Sequence, residues 1–344
     1  MIGKDFISTV HLNVITYGKR SHRKLFRILL WLLLPIVLWW TLKDISIMEI
    51  MDNFRGIGLE AIVILIGLNA TIFALFSLRW WLILRAQGYR RSFLALISYR
   101  LAGFGVTYFT PGPQFGGEPL QVYLLHQREG MKTSTAAASV TVDKLLELLA
   151  NFSFLLVGIT VILFAGTLKG ATRIELILLP ALLLIVPAVY LVALKLGFHP
   201  VSSILRVLGD RFLKSPRIDR FVQTLKETEN QVSMFCQKNT LVLLAAAFLS
   251  VGIWVLMIFE FSLMLRFLGV GLNLTQVLIA LTAARIAFLL PLPAGLGTLE
   301  AGQVMAMGLI GVNPVFGVSL SLLIRARDVI LGSIGLWLGG VYSR

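Results

Sequence analysis

Glu118 and Glu300 close the same local pattern, and the chemistry it offers is that of a polar site held inside a membrane. Residues 108–119 read Tyr-Phe-Thr-Pro-Gly-Pro-Gln-Phe-Gly-Gly-Glu-Pro, and residues 289–300 read Leu-Leu-Pro-Leu-Pro-Ala-Gly-Leu-Gly-Thr-Leu-Glu. Each is Pro-x-Pro, then glycines, then a glutamate. The breaking residues are Pro111, Pro113, Gly116 and Gly117 in one copy, and Pro291, Pro293, Gly295 and Gly297 in the other. Proline and glycine interrupt a helix and free backbone groups. In lipid such backbone survives only where protein buries it or a wet cavity lies beside it. Two breaks in corresponding positions point to a transporter-like site at the membrane midplane.

Ionisable residues accompany both breaks. Arg100, Lys144, Arg285, Arg325 and Arg327 are balanced by Glu118, Asp143, Glu147, Glu300 and Asp328, all within apolar segments. Such groups are costly in a bilayer and mark pathways or ties between helices. The order is alike in each half: arginine, Pro-x-Pro, glycines, glutamate, then a span with a basic–acidic cluster. Asp143 and Glu147 share a helix face, as do Arg325 and Asp328. Asp143 follows Pro111 by about the interval at which Asp328 follows Pro291, which pairs the two aspartates across the halves. Glu260 shows no counterpart and reads as a helix tie. A balanced set suits a zwitterionic or mixed-charge ligand without excluding an anionic one.

The elements that must hold these groups are membrane helices. The chain has 344 residues, 57% hydrophobic and 14% charged, with mean hydropathy +0.87. Soluble domains carry about 25% charged residues. Apolar runs of spanning length fall at about 25–42, 58–84, 134–166, 173–197, 240–268 and 315–341. Two further segments, 93–126 and 275–311, contain the breaks, and each is either two spans or one re-entrant hairpin. The fold class expected is an all-α polytopic membrane protein with about six full spans and two broken hairpins, eight or more membrane helices in all. The first run, Leu25 to Leu42, lacks a small-residue cleavage site and reads as a retained anchor.

Charge sets the expected orientation. Residues 1–24 are basic, and the stretch 79–92 holds Arg79, Arg85, Arg90 and Arg91 without an acid. The 198–239 loop carries seven bases against four acids, whereas 43–57 holds Asp44, Glu49 and Asp52 against Lys43 and Arg55. Positive segments stay inside. The walk therefore places both termini in the cytoplasm and gives the two hairpins opposite orientations, as inverted repeats require. Lys169 and Arg173, on the expected outside, are exceptions to the bias. The first repeat half is 58–197 and the second 240–341, with 198–239 between them. In that loop Ile218, Phe221, Val222, Leu225, Val232 and Phe235 recur at helical spacing. They describe an amphipathic helix, lying either on the inner membrane face or under the bundle.

Several chemistries have no signature. The net charge of +14 sits mainly in connecting segments, which argues against nucleic acid as partner. One cysteine, Cys236, forms no intrachain disulfide. His11, His22, His126 and His199 lack metal-site spacing. There is no phosphate-binding loop, nucleophile elbow or nicotinamide fingerprint, so no cofactor, metal or catalytic residue is expected and the chain is not read as an enzyme. Gly332, Gly335 and Gly339 read as close packing of the last span.

These residues resemble the lysylphosphatidylglycerol synthase transmembrane-region family, also called flippase-like domain proteins. The family's Pro-x-x-x-Gly-Glu-x-x-Arg pattern is similar to Pro113-Gln-Phe-Gly-Gly-Glu118-Pro-Leu-Gln121, with Gln121 standing at the arginine position. Its Glu-Arg-Leu-Leu-Asp run is similar to Asp143-Lys144-Leu145-Leu146-Glu147. Pro291 to Glu300 matches its Pro-x-Pro-x-Gly-x-Gly-x-x-Glu, and Arg325 its late arginine. The resemblance implies movement of a phospholipid or lipid-linked substrate between leaflets, with membrane lipids and a lipid-modifying enzyme as partners. The resemblance carries Glu118, Gln121, Asp143, Lys144, Glu147, Glu300 and Arg325 as expected substrate-binding positions, and the charges beside the breaks add Arg100, Arg285 and Asp328. Glu118 and Glu300 are expected to contact the headgroup or a coupling proton, with Arg285, Arg325 and Asp328 as the opposing wall. The chain ends at Arg344 directly after the last expected span, so synthase activity is not expected to accompany it. The expected location is a prokaryotic cytoplasmic (inner) membrane. The alternatives are a secondary transporter of a small polar solute and a membrane-embedded transferase acting on a lipid carrier.

Overall fold

A computed structural model describes residues 46–110, 116–166, 173–212, 216–290 and 292–343. The basic N-terminus 1–24, the first expected span 25–42, Pro111, Pro113, Pro291 and the 167–172 loop lie outside them. The described residues form twelve α-helices, one 3-10 turn and no strand. In chain order the helices are α1 (Ile47–Arg55), α2 (Leu59–Ala86), α3 (Phe93–Phe109), α4 (Glu118–Glu129), α5 (Thr133–Phe164) and α6 (Arg173–Lys195). They continue with α7 (Pro200–Phe212), α8 (Pro216–Lys238), α9 (Thr240–Phe267), α10 (Leu274–Leu289), α11 (Thr298–Leu309) and α12 (Pro314–Ser343). The chain is thus an all-α polytopic membrane protein.

Length separates spans from half-spans. Helices α2, α5 and α9, and residues Leu176–Lys195 of α6, are long and apolar enough to cross a bilayer. Helix α12 has 30 residues but carries Arg325, Arg327 and Asp328. Their outer faces leave Ile66, Leu182, Val189, Phe248 and Phe259 exposed, a surface that lipid covers. By contrast α3 and α10 have 17 and 16 residues, and α4 and α11 have 12 each. Twelve helical residues reach about 18 Å against a hydrocarbon core of about 30 Å. Each broken segment is therefore a hairpin of two short helices rather than two full spans.

The hairpins run in opposite directions. Gln276 contacts Ile310 and Gln303 contacts Ala280, so α10 and α11 are antiparallel. Gly317 lies on Gln303 and Arg325 on Glu300, so α11 and α12 are antiparallel too. Helix α12 meets α3 with Gly332 beside Tyr108 and Gly339 beside Ala102, again antiparallel. It follows that α3 and α10 point oppositely. The α3–α12 contact is close because α12 offers glycine. A Cβ on Gly335 would lie 1.9 Å from the Leu101 carbonyl oxygen. Small residues let membrane helices approach in this way.

The halves also share a register. Helices α2 and α9 are both 28 residues long and start at Leu59 and Thr240, 181 positions apart; α5 and α12 start at Thr133 and Pro314, again 181 apart. The packing is reciprocal: α12 lies on the first hairpin and α5 on the second, while α2 lies on α9.

The 198–239 segment is two helices. Val232, Phe235 and Cys236 of α8 are buried with Ile83, Val142, Leu146 and Ala246 of the bundle. The apolar stripe read from the sequence therefore packs under the helices at its C-terminal end, while Phe221 is exposed. The Glu229 carboxylate on α8 holds α7, accepting from the Val201 and Ser202 amides at 3.0 Å each and from the Tyr190 hydroxyl at 3.0 Å. Free amides at a helix start need such an acceptor.

Candidate functional site

Each break is organised by its glutamate. In the first, Gly116 adopts φ +143°, a conformation that side chains resist. Its amide then donates to Glu118 Oε2 at 2.9 Å, and the Gly117 amide donates to Thr107 Oγ1 at 2.9 Å. Gly117 sits so near Gly103 that a Cβ would lie 2.0 Å from the Gly103 oxygen. Glu118 Oε1 meets Lys144 Nζ at 2.9 Å, and Lys144 also meets Glu147 at 2.8 Å. In the second break the Gly297 amide donates to Glu300 Oε2 at 3.0 Å. Arg325 grips Glu300 through Nε, and through Nη2 at 2.8 Å. It also donates to the Ala294 and Gly295 carbonyls at 3.2 and 3.1 Å.

Lys144 and Arg325 lie 181 positions apart, as do Glu147 and Asp328. The true counterpart of Asp328 is thus Glu147, and the sequence-based pairing with Asp143 is off by one helical turn. Asp143 is 5% exposed. It joins two arginines, accepting from Arg79 Nε at 2.7 Å and from Arg100 Nη2.

Arg79 is the residue sequence reasoning misplaced. The sequence groups it with the basic stretch 79–92, yet it lies in α2, seven positions before the helix ends, and is 1% exposed. Its Nη1 reaches Ser250 of α9 at 2.9 Å. The reciprocal contact exists. Glu260 of α9 accepts from Asn69 Nδ2 of α2 at 2.8 Å, and from Arg327 Nη1 at 2.5 Å. Arg79 and Glu260 are 181 apart, and so are Asn69 and Ser250. Glu260 therefore has a counterpart, of opposite sign. The clue in the sequence was that Arg79 falls inside the apolar run 58–84.

A cavity of about 280 Å³ lies between the hairpins. Among its described walls are Gly103, Gly117, Glu118 and Gln121 from the first hairpin, and Arg285, Ala294 and Gly295 from the second. Arg100, Asp143, Lys144, Glu147, Glu260, Arg327 and Asp328 complete its charged surface, and Phe73, Phe76, Phe104, Tyr108 and Phe288 its apolar one. Gln121 lies across Gly103. Glu300 and Arg325 are absent from this described lining; their pair staples the second break behind the wall. Arg327 pairs with Asp328 at 2.8 Å as well as with Glu260. Arg285 makes no ion pair among the described residues. It stacks over Trp254 at 4.9 Å, and Trp254 stacks on Phe154 at 4.1 Å. Among the described residues no three His, Cys, Asp or Glu side chains are disposed to hold a metal ion. What the site can do is receive a polar or charged group between charged and aromatic walls, where the low-dielectric surroundings strengthen each contact relative to bulk water.

A UPF0104 membrane protein of Methanothermobacter thermautotrophicus is 26% identical over 275 residues, covering 77% of this chain and 80% of that protein. A UPF0104 membrane protein of Methanocaldococcus jannaschii is 22% identical over 282 residues, covering 80% and 82%. No solved structure matches the chain significantly. The family described as Lysylphosphatidylglycerol synthase TM region matches residues 26–335, both breaks and both charged clusters included, and the chain belongs to that family of membrane proteins.

Proposed function

We propose that this chain moves a phospholipid or lipid-linked substrate between leaflets, the headgroup passing through the cavity while the acyl chains stay in lipid. One observation carries the reading: both oppositely directed glycine breaks open onto a single charged cavity. Freed backbone at membrane depth is tolerated at such a cavity and marks a transport site. Family membership supports a lipid as the cargo. In this reading the membrane is a prokaryotic cytoplasmic one, with both termini and α7–α8 on the cytoplasmic side, and no covalent chemistry is performed on the substrate. Glu118, Lys144, Glu147, Asp143, Arg100, Gln121 and Asp328 face the headgroup; Glu300 and Arg325 keep the second break in shape.

The test is reconstitution into liposomes with fluorescent phospholipids. Wild-type protein should move lipid between leaflets, and the Glu118→Ala/Glu300→Ala double variant should do so at least tenfold more slowly. Equal rates would remove both glutamates from the mechanism. A volume of about 280 Å³ also fits a small polar solute. Uptake of such a solute without lipid movement would favour a secondary transporter.

A further inference from the structure

We infer that Arg285 is the anchoring point for a phosphate-type oxyanion, at one position only in the cavity. The inference rests on reading the cavity as the passage for a substrate headgroup.

Charge matching isolates Arg285. Arg100 is held by Asp143, Lys144 by Glu118 and Glu147, and Arg327 by Glu260 and Asp328. Arg327 takes both remaining carboxylates of the second half. Arg285 is left with the sulfur of Met257, 3.9 Å from Nη2, and its buried Nε has no hydrogen-bond partner. A guanidinium stays ionised, and an unpaired one at membrane depth is expensive. Protein groups therefore do not complete this site; an anion would.

The surroundings give the ion its shape. Phe154 and Trp254 form a stacked pair, 13° from parallel, with the Arg285 guanidinium over the indole. An aromatic platform engages the face of the guanidinium and leaves its edge of N–H donors free. That edge matches a tetrahedral oxyanion through two parallel hydrogen bonds. Arg285 also lines a second cavity of about 70 Å³, which it shares with Arg79, Asn151 and Ser250. Phe76, Ile253 and Trp254 also line that chamber, and Glu147 brings one carboxylate to it. The equivalent position in the first half, 181 residues earlier, is Phe104. The site is single, although the breaks are paired.

Isothermal titration on the purified full chain in detergent tests this with three probes: inorganic phosphate, short-chain phosphatidic acid and short-chain diacylglycerol. Wild type should bind phosphatidic acid and not diacylglycerol. Arg285→Gln should weaken that binding at least tenfold, and Arg285→Lys should fall between, since it keeps the charge and loses the fork. Lys226→Gln, a loss of the same charge on the exposed face of α8, should leave binding unchanged. Phosphate binding that falls in parallel shows that the free ion suffices; phosphate silent beside a bound lipid assigns the site to a headgroup phosphate. Arg285→Gln should melt no lower than wild type, so that lost binding is not lost fold. Unchanged binding in Arg285→Gln, or no binding of either anion by wild type, overturns the inference. Lipid movement assayed separately keeps the two readings apart. Wild type that binds phosphate through Arg285 but moves no lipid sinks the transport reading alone. Lipid movement by wild type together with phosphatidic acid binding unchanged in Arg285→Gln sinks this inference alone.

Discussion

Arg79 and Glu260 occupy the same place in the two halves, and each reaches across to the other's helix. Arg79 of α2 donates to Ser250 of α9, and Glu260 of α9 accepts from Asn69 of α2. One crossing contact is thus repeated with the charge reversed. Arg79 turns to the two carboxylates of α5, and Glu260 to Arg327 of α12. The bundle is therefore tied at its centre by two ionic knots of opposite polarity, one on each side of the cavity.

Asp143 is the centre of the first knot, and its charge is needed for stability. Asp143→Asn leaves Arg79 and Arg100 facing each other with only Glu147, which lies 3.8 Å from each, to offset them. Removing one partner of a buried pair costs about 3–5 kcal/mol. The variant should melt well below wild type in detergent, and lower than Arg285→Gln, which removes a charge that has no carboxylate partner among the described residues. Thermal melts of the three proteins decide this; an Asp143→Asn protein as stable as wild type would refute the knot.

The two breaks should differ in how readily they open. Glu300 is held by an arginine that also ties down two carbonyls of its own loop. Glu118 is held by a lysine shared with Glu147. A lysine is a point charge without the arginine fork. Amide exchange at Gly116 and Gly117 should therefore be faster than at Gly297, and Lys144→Arg should narrow the gap and slow transport. Equal protection at the two breaks in wild type would contradict the asymmetry.

Ala294 is the one non-glycine residue with positive φ among those described, at φ 51° and ψ 20°. A left-handed conformation costs an alanine about 1–2 kcal/mol, while glycine loses about 0.5–1 kcal/mol of unfolded-chain entropy. Ala294→Gly should therefore raise stability by about 0.5–1 kcal/mol, read as a higher melting temperature. Because the Ala294 carbonyl accepts from Arg325, the bond to the loop is kept. A lower melting temperature would show that the position is unstrained.

The breaks were legible because proline and glycine announce themselves, and the spans because lipid demands length. Glu118 and Glu300 follow from the same signal. The 181-residue register was not legible. Lys144 and Arg325, and Glu147 and Asp328, keep their sign across it, but Arg79 stands opposite Glu260 with the charge reversed and Asn69 opposite Ser250 with a different shape. Where only position is kept, as in the last two pairs, there is no common letter to read. Arg79 was hidden further because it begins a basic run, and only its place inside the apolar run 58–84 sets it apart in the sequence from Arg85 and Arg90. Asp143 was matched to the wrong partner because side-chain type was compared where helix register decides. Arg285 stood out as a charge in an apolar segment. That its neighbours spend their carboxylates on Arg327 is a fact of packing.

Cys236 supplies an internal reporter for all of these variants. It lies in α8, outside the spans, and is buried with Val232 and Phe235 against the bundle. Burial pushes its thiol up from an ordinary value of 9.0 to about 11. Only the thiolate reacts with maleimides, so native protein at pH 8 should label slowly on grounds of both access and ionisation. Unfolding exposes the thiol and restores its ordinary acidity. The sign of the linkage follows: the folded state holds this proton more tightly. The resulting stabilisation is full below about pH 9 and is lost as pH rises through 11. Labelling of wild type should therefore be slow at pH 8 and speed up with heat at the melting temperature, and Asp143→Asn should label at a lower temperature. Rapid labelling of the native protein at pH 8 would show that α8 is not docked under the bundle.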